Sequence, residues 1–240
     1  MEIRLRILVL CFISSFLLSG QSAVYSVKGG PLIGTQNWNN SQRGPLISGH
    51  VILGVESWQE DDLNSLFAQI GYHNRGSSLR QVFLNPTTGF NPQSRSFVFR
   101  NLALTVGAKR RISLGTWRPF YSVGLRGEYT LGTNLDEFQD DNFTAPTAYP
   151  LNEFVMPWNY GIYAGGGTEL KLTEYIGAVF ELSVNPDLSR QYFQPPLNNV
   201  SIYNPWNGQT QTSLRERTIR NVSLEFTVGL RFLRKVVYID

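Results

Sequence analysis

After residue 23, apolar and polar residues alternate one by one along most of the chain, the period-two spacing of a strand with two unlike faces. Residues 222–233 carry it most clearly. Val222, Leu224, Phe226, Val228, Leu230 and Phe232 oppose Ser223, Glu225, Thr227, Gly229 and Arg231. In 120–131, Tyr121, Val123, Leu125, Gly127, Tyr129 and Leu131 oppose Ser122, Gly124, Arg126, Glu128 and Thr130. The same split recurs in 101–109, 158–172 and 176–185, and more weakly in 24–34, 46–58 and 66–73. Helical periodicity is nearly absent, so the pattern predicts eight strands.

The connections between these strands alternate in length. Short turns are expected at 59–65, 110–118 and 173–175. Long loops rich in Asn, Gln, Pro, Gly, Asp and Thr are expected near 35–45, 74–96, 132–157 and 186–217. Short turns at one end and long loops at the other are the plan of a transmembrane β-barrel. The predicted fold is therefore all-β: an eight-stranded antiparallel up-and-down transmembrane β-barrel over 24–240. Both termini then fall on the short-turn side.

Alternation alone does not orient the faces, because a soluble barrel buries its apolar face and wets its polar one. Aromatic residues favour the membrane reading, since their rings collect in two belts at headgroup level. Tyr25, Trp58, Trp117, Tyr121 and Tyr175 fall near the short-turn end, and Tyr72, Phe97, Phe99, Tyr129, Trp158 and Tyr160 near the long-loop end. The polar face mixes both signs of charge. Lys28, Glu56, Lys109, Arg126, Glu128, Glu169, Lys171, Glu181, Glu225 and Arg231 are expected to converge inside. Eight strands leave an interior that side chains can fill.

Residues 1–23 add a compartment. Arg4 and Arg6 precede an apolar run from Ile7 to Leu18, and Ser19, Gly20, Gln21, Ser22 and Ala23 follow, which is the plan of an export signal cleaved between 20 and 23. The run is shorter than the roughly 20 residues a membrane-spanning helix needs. Cleavage removes Cys11, the single cysteine, so no disulfide framework or multi-cysteine metal site is expected. A net charge of +3 is too small to suggest nucleic-acid binding.

Little in the sequence points to catalysis. His50 and His73 are the two histidines, and neither lies in a Ser, His and acid pattern. His50 is expected to hydrogen-bond within the lumen, and His73-Asn74-Arg75 to cap the polar interior at the mouth. Glu169 and Glu181, on neighbouring strands, are expected to pair with Lys171, Arg126 or Arg231. Asp136, Glu137, Asp140 and Asp141 form an acidic patch without the spacing of a calcium loop. Tyr192, Phe193, Tyr203 and Trp206 lie in the fourth long loop with four prolines, and are candidates either for contact with a protein or glycan partner or for packing of the loop over the barrel mouth. No enzyme activity, cofactor or metal is expected.

The opening strand Val27-Lys28-Gly29-Gly30, the segment Gly71-Tyr72-His73-Asn74-Arg75-Gly76-Ser77 and the closing Gly229-Leu230-Arg231-Phe232 resemble the outer-membrane β-barrel proteins of Bacteroidota, the PorT-like or OmpA-like eight-stranded barrels. In such barrels the last strand is read by the assembly machinery as a polar residue, Gly two later, an aromatic three further and another aromatic two beyond. Thr227, Gly229 and Phe232 match, and Arg234 stands at the final aromatic place. The resemblance implies the bacterial outer membrane, its lipid and its assembly machinery as partners. It implies no single activity. The expected role is structural or binding, or that of an accessory subunit of an outer-membrane complex. The alternatives are a narrow channel or transport accessory for small solutes, and a soluble secreted barrel holding an apolar ligand.

Overall fold

The structure, a computed structural model, describes residues 22–39, 43–58, 63–85, 89–114, 117–138, 150–204 and 209–236, with backbone only for 80–93, 199–212 and 214. The expected export signal lies outside the described residues apart from its last two positions. Eight long strands form the wall: β1 (Ala23–Trp38), β2 (Gly44–Ser57), β3 (Asn64–Asn85), β4 (Gly89–Arg111), β5 (Trp117–Thr133), β6 (Trp158–Lys171), β7 (Ile176–Pro186) and β11 (Arg217–Arg234). Each pairs antiparallel with the next, and β1 pairs with β11 from Ala23↔Arg234 to Trp38↔Ile219, which closes the ring. Three short strands lie between β7 and β11: β8 (Tyr192–Gln194), β9 (Leu197–Asn204) and β10 (Gln209–Leu214). β8 adds to β11 beyond the end of β7, while β9 and β10 pair with each other.

The apolar face points outward. Leu125 is 68 % exposed, and Val27, Val51, Leu53, Leu66, Val106, Val123, Leu182 and Phe226 are exposed around the ring. The inward face of the same strands is polar and buried, including Gln69, Thr105, Arg126, Glu181, Glu225 and Thr227. A soluble barrel with an apolar interior has the opposite arrangement. An apolar band of this kind needs lipid, and in lipid an open sheet edge would leave backbone groups unpaired, so only a closed barrel meets the condition. Among the described residues no helix is long and apolar enough to cross a membrane; the strands make the crossing.

The band has visible edges. Tyr25, Trp117, Tyr121 and Tyr175 are exposed towards the short turns, and Tyr72, Tyr129, Trp158 and Tyr160 towards the opposite end. On β5, Trp117 and Tyr129 are separated by roughly 40 Å along the strand, about 30 Å along the barrel axis at the usual tilt. Three residues placed in this belt from the sequence belong elsewhere. Phe97 and Phe99 are fully buried, because they share strand parity with the inward-facing Asn101, Ala103 and Thr105. Trp58 is half-buried and lines the short-turn mouth of the lumen.

A second correction concerns the connections. The expected loop at 74–96 is mostly strand: β3 and β4 stay paired from Asn64↔Arg110 to Asn85↔Gly89. The expected loop at 35–45 is shortened from both sides by β1 and β2, and the one at 186–217 contains β8, β9 and β10. Past the band, the outer face no longer meets lipid. Asn74 and Arg100 then pair on the outside while Phe97 and Phe99 turn inward.

At this transition β1 presses on β3. Gly76 has φ +155°, and a Cβ there would lie 1.8 Å from the Phe97 carbonyl oxygen; a Cβ on Gly34 of β1 would lie 2.9 Å from the Gly76 carbonyl oxygen. Only glycine is at ease with that dihedral, which costs other residues about 1–3 kcal/mol. Gly76→Ala is expected to destabilise the folded barrel by at least that amount, read as a fall in the urea midpoint of the lipid-inserted protein. Gly127→Ala is the control: a Cβ at Gly127 meets nothing within 4 Å, and its midpoint should stay unchanged.

Candidate functional site

Strand parity sends one residue in two into the lumen, where they form two charged layers. In the layer nearer the short turns, Lys28 Nζ donates to Glu181 Oε2 at 3.0 Å and to Gln69 Oε1 at 3.1 Å. Tyr163 donates its hydroxyl to Glu181 Oε1 at 2.5 Å. Lys109 joins Glu56 at 3.2 Å and also meets Glu169, while Arg111 Nε meets Glu169 Oε2 at 2.9 Å and its terminal nitrogen reaches Glu56. Arg231 also pairs with Glu169. Three carboxylates thus face four cations. A cavity of about 30 Å³ between these groups is room for one or two waters.

The upper layer centres on Arg75, which is fully buried. Its guanidinium donates to Glu128 Oε1 at 2.9 Å, Asp187 Oδ1 at 2.6 Å, the Asn185 carbonyl at 2.7 Å and Ser223 Oγ at 3.1 Å. One side chain of β3 thereby ties β5, β7 and β11. Arg126 donates to Glu128 Oε1 at 2.5 Å and Glu225 Oε1 at 3.0 Å, and Asn101 donates to Glu128 Oε2 at 2.6 Å. Here three carboxylates, Glu128, Glu225 and Asp187, face two guanidiniums. Burial of six carboxylates in the lumen is tolerable only because each has cationic or hydrogen-bonding partners.

Of the lumen residues expected from sequence, Lys28, Glu56, Lys109, Arg126, Glu128, Glu169, Glu181, Glu225 and Arg231 meet in these layers. Lys171 does not. It is exposed beside the 172–175 turn, one step past the last lumen layer, and lines a cavity of about 180 Å³ at the short-turn mouth with Trp58, Arg118 and Arg231. Glu169 pairs with Arg231, Lys109 and Arg111, and Glu181 with Lys28; neither meets Arg126 or Lys171 in the described ion pairs. Arg75, expected with His73 and Asn74 to cap the interior at the mouth, lies inside the upper layer instead, and Arg111 and Asp187 join the layers without having been expected there. Parity carried two residues further from His73 and from Lys109 would have placed Arg75 and Arg111 inside.

An apolar lid closes the loop end. Trp38, Tyr192 and Ile219 form one buried cluster, and Phe97, Phe99, Leu135 and Phe138 another; Val155 packs on both. The short 3-10 turns Leu135–Phe138 and Asn152–Phe154 bring these residues in from the β5–β6 connection. Beneath the lid, Gln36 donates to Asn221 Oδ1 at 2.9 Å and Ser77 to Gln36 Oε1 at 2.6 Å. Tyr192, expected as an exposed contact residue, is therefore a lid residue, and burial pushes its hydroxyl above its ordinary pKa. Phe193 is half-buried, with the Arg190 guanidinium 5.2 Å above its ring. Tyr203 lies in β9, opposite Thr210, and Trp206 lies outside the described residues. Of the acidic patch, Asp136 and Glu137 sit exposed on the 3-10 turn; Asp140 and Asp141 lie outside the described residues.

Taken together, the closed ring, the outward apolar band and the filled polar lumen define an eight-stranded transmembrane β-barrel. Solved structures similar to the chain include bacterial outer-membrane proteins, at low identity and TM-scores below 0.5. Neisserial surface protein A is 10 % identical over 88 % of this chain and 96 % of its own, with a TM-score of 0.47. The outer membrane protein OprG of Pseudomonas aeruginosa is 10 % identical over 88 % and 97 %, with a TM-score of 0.46. The outer membrane protease OmpT of Escherichia coli is 9 % identical over 90 % and 98 %, with a TM-score of 0.42. No family model and no curated protein sequence matches the chain. The barrel assignment rests on the strand order and faces described above, not on these likenesses.

Proposed function

We propose that the protein is a bacterial outer-membrane barrel with a side-chain-filled lumen and a structural or binding role, or the role of an accessory subunit of an outer-membrane complex. The closure of the lumen carries the reading. Arg75, Glu128 and Glu225 are at most 2 % exposed in its middle, and Tyr192 and Ile219 are fully buried above them. A pore for free diffusion keeps a water-filled interior, whereas ion-paired side chains occupy this one. The loop end is then the part that meets partners, through the surfaces around Phe193 and the β9–β10 pair, with a protein or a glycan as the ligand class. The reading is non-enzymatic: both histidines lie in the buried lumen, at 4 % and 2 % exposure.

Export by residues 1–23, insertion by the outer-membrane assembly machinery through β11, and kinship with the PorT-like barrels of Bacteroidota belong to the same reading. It is supported by the n-, h- and c-region pattern and by Thr227, Gly229 and Phe232. Cell fractionation with heat-modifiable gel mobility tests the location: recovery in the outer membrane with a band that shifts on boiling is expected, and recovery in a soluble fraction would overturn it. Planar-bilayer recording tests the closed lumen. The wild type is expected to give no steady conductance. A steady current that changes in Arg126→Gln or Glu128→Gln would instead make the protein a narrow channel for small solutes.

A further inference from the structure

We propose that His50, His73 and Glu225 form a binding site for one divalent transition-metal ion of the zinc class in the middle of the lumen. His50 on β2 and His73 on β3 are direct cross-strand partners, and Glu225 reaches them from β11. One ligand atom of each lies within 4.8 Å of the others, and all three side chains are buried. The imidazoles stack with centroids 5.3 Å apart and planes inclined by 2°.

Two nitrogens have no hydrogen bond. His50 Nε2 lies 2.9 Å from Thr227 Oγ1, but Nδ1 of the same ring has no partner. His73 Nδ1 lies 3.2 Å from Glu225 Oε1, an ion-pair distance that falls short of hydrogen-bond geometry, so the nitrogen faces a carboxylate without a well-formed bond. Unpaired polar atoms at such depth are costly and call for a ligand. The Thr227 hydroxyl would fix the orientation of the His50 ring, as an outer partner of a metal-bound imidazole does.

The charge balance agrees. The lumen as a whole balances six carboxylates with six cations, but the layer holding Glu225 has three carboxylates against two guanidiniums in direct ion contact, so a further cation is locally accommodated there. Two neutral imidazoles and a carboxylate are the donors that zinc and its neighbours in the first transition row accept, with water in a fourth place. Bonds of roughly 2.0–2.2 Å require the three ligand atoms to draw closer than the up to 4.8 Å at which they stand here. The site sits below the lid, so the ion enters as the barrel folds.

The test uses Co(II) as a spectroscopic probe. The mature protein is refolded into detergent with Co(II), passed over a chelating resin and analysed for bound metal and visible absorption. One retained Co(II) per chain with ligand-field bands is expected. His50→Gln and His73→Gln should each lower the affinity at least about tenfold to a hundredfold while keeping the heat-modifiable mobility of the folded barrel. Folded wild type that retains no metal would overturn the proposal. Equal retention by folded variants would also do so, since it would mean an adventitious ion only. If neither variant folds, the wild type decides by proton NMR: two paramagnetically shifted imidazole N–H signals support the site, and their absence overturns it.

Discussion

Leu125→Arg is expected to prevent stable insertion of the barrel. Leu125 is 68 % exposed on the outward face of β5, four residues from Tyr121 and four from Tyr129, and so close to mid-band. An arginine at the centre of the lipid face of such a barrel costs about 2–4 kcal/mol, falling towards zero at the interfaces. Val228→Arg on β11 tests the same depth from another side of the ring. The change at Leu131, beyond Tyr129, should cost less, which separates a lipid effect from a strand-propensity effect. The measurement is folding into vesicles, followed by gel mobility with and without boiling. Normal insertion of both Leu125→Arg and Val228→Arg would reverse the assignment of the faces.

The second large effect is expected inside. Arg75→Met keeps an unbranched stem but removes the guanidinium with its four donated hydrogen bonds and two ion pairs. Glu128 retains Arg126 and Asn101, and Asp187 retains Asn221, so each carboxylate is left under-compensated rather than isolated. Breaking one partner out of a buried ionic network costs about 3–5 kcal/mol. That loss should appear as a large drop in the urea midpoint of the inserted protein. A double variant with Asp187→Asn, which removes a charge that Arg75 had balanced, should recover part of it. A shift below about 1 kcal/mol would mean that water screens the network and that the wall alone sets stability.

Much of the wall was legible because its two faces meet chemically opposite surroundings. Leu125-Arg126-Gly127-Glu128 reads as lipid, lumen, lipid, lumen once a membrane barrel is assumed. The signal fades where lipid ends. From Asn74 upward the outer face of β3 needs no apolar residue, so the alternation weakens and the segment reads as a loop although its backbone pairing continues to Asn85. Phe97 and Phe99 were misplaced for the same reason: above the band the inward face turns apolar, and aromatic content alone suggests a belt. Parity, carried on without regard to hydropathy, would have recovered both phenylalanines, Arg75 and Arg111. The lid was legible only as one of two readings of the fourth loop. Tyr192 pairs with Ile219 across β8 and β11 and meets Trp38 through the ring closure of β1 with β11, contacts between distant parts of the chain that no local pattern encodes.

The long β3–β4 hairpin gives the protein height. Continuous strand runs thirteen residues on from Tyr72 at the outer edge of the band to Asn85. At about 3.3 Å per residue and a tilt of 35–45° this is roughly 30–35 Å of rise above the headgroups. A surface carried that far stands clear of the lipid and of the barrel wall, so an antibody raised against 79–95 should label intact cells, whereas one against the β6–β7 turn at 172–175 should label them only after the envelope is opened.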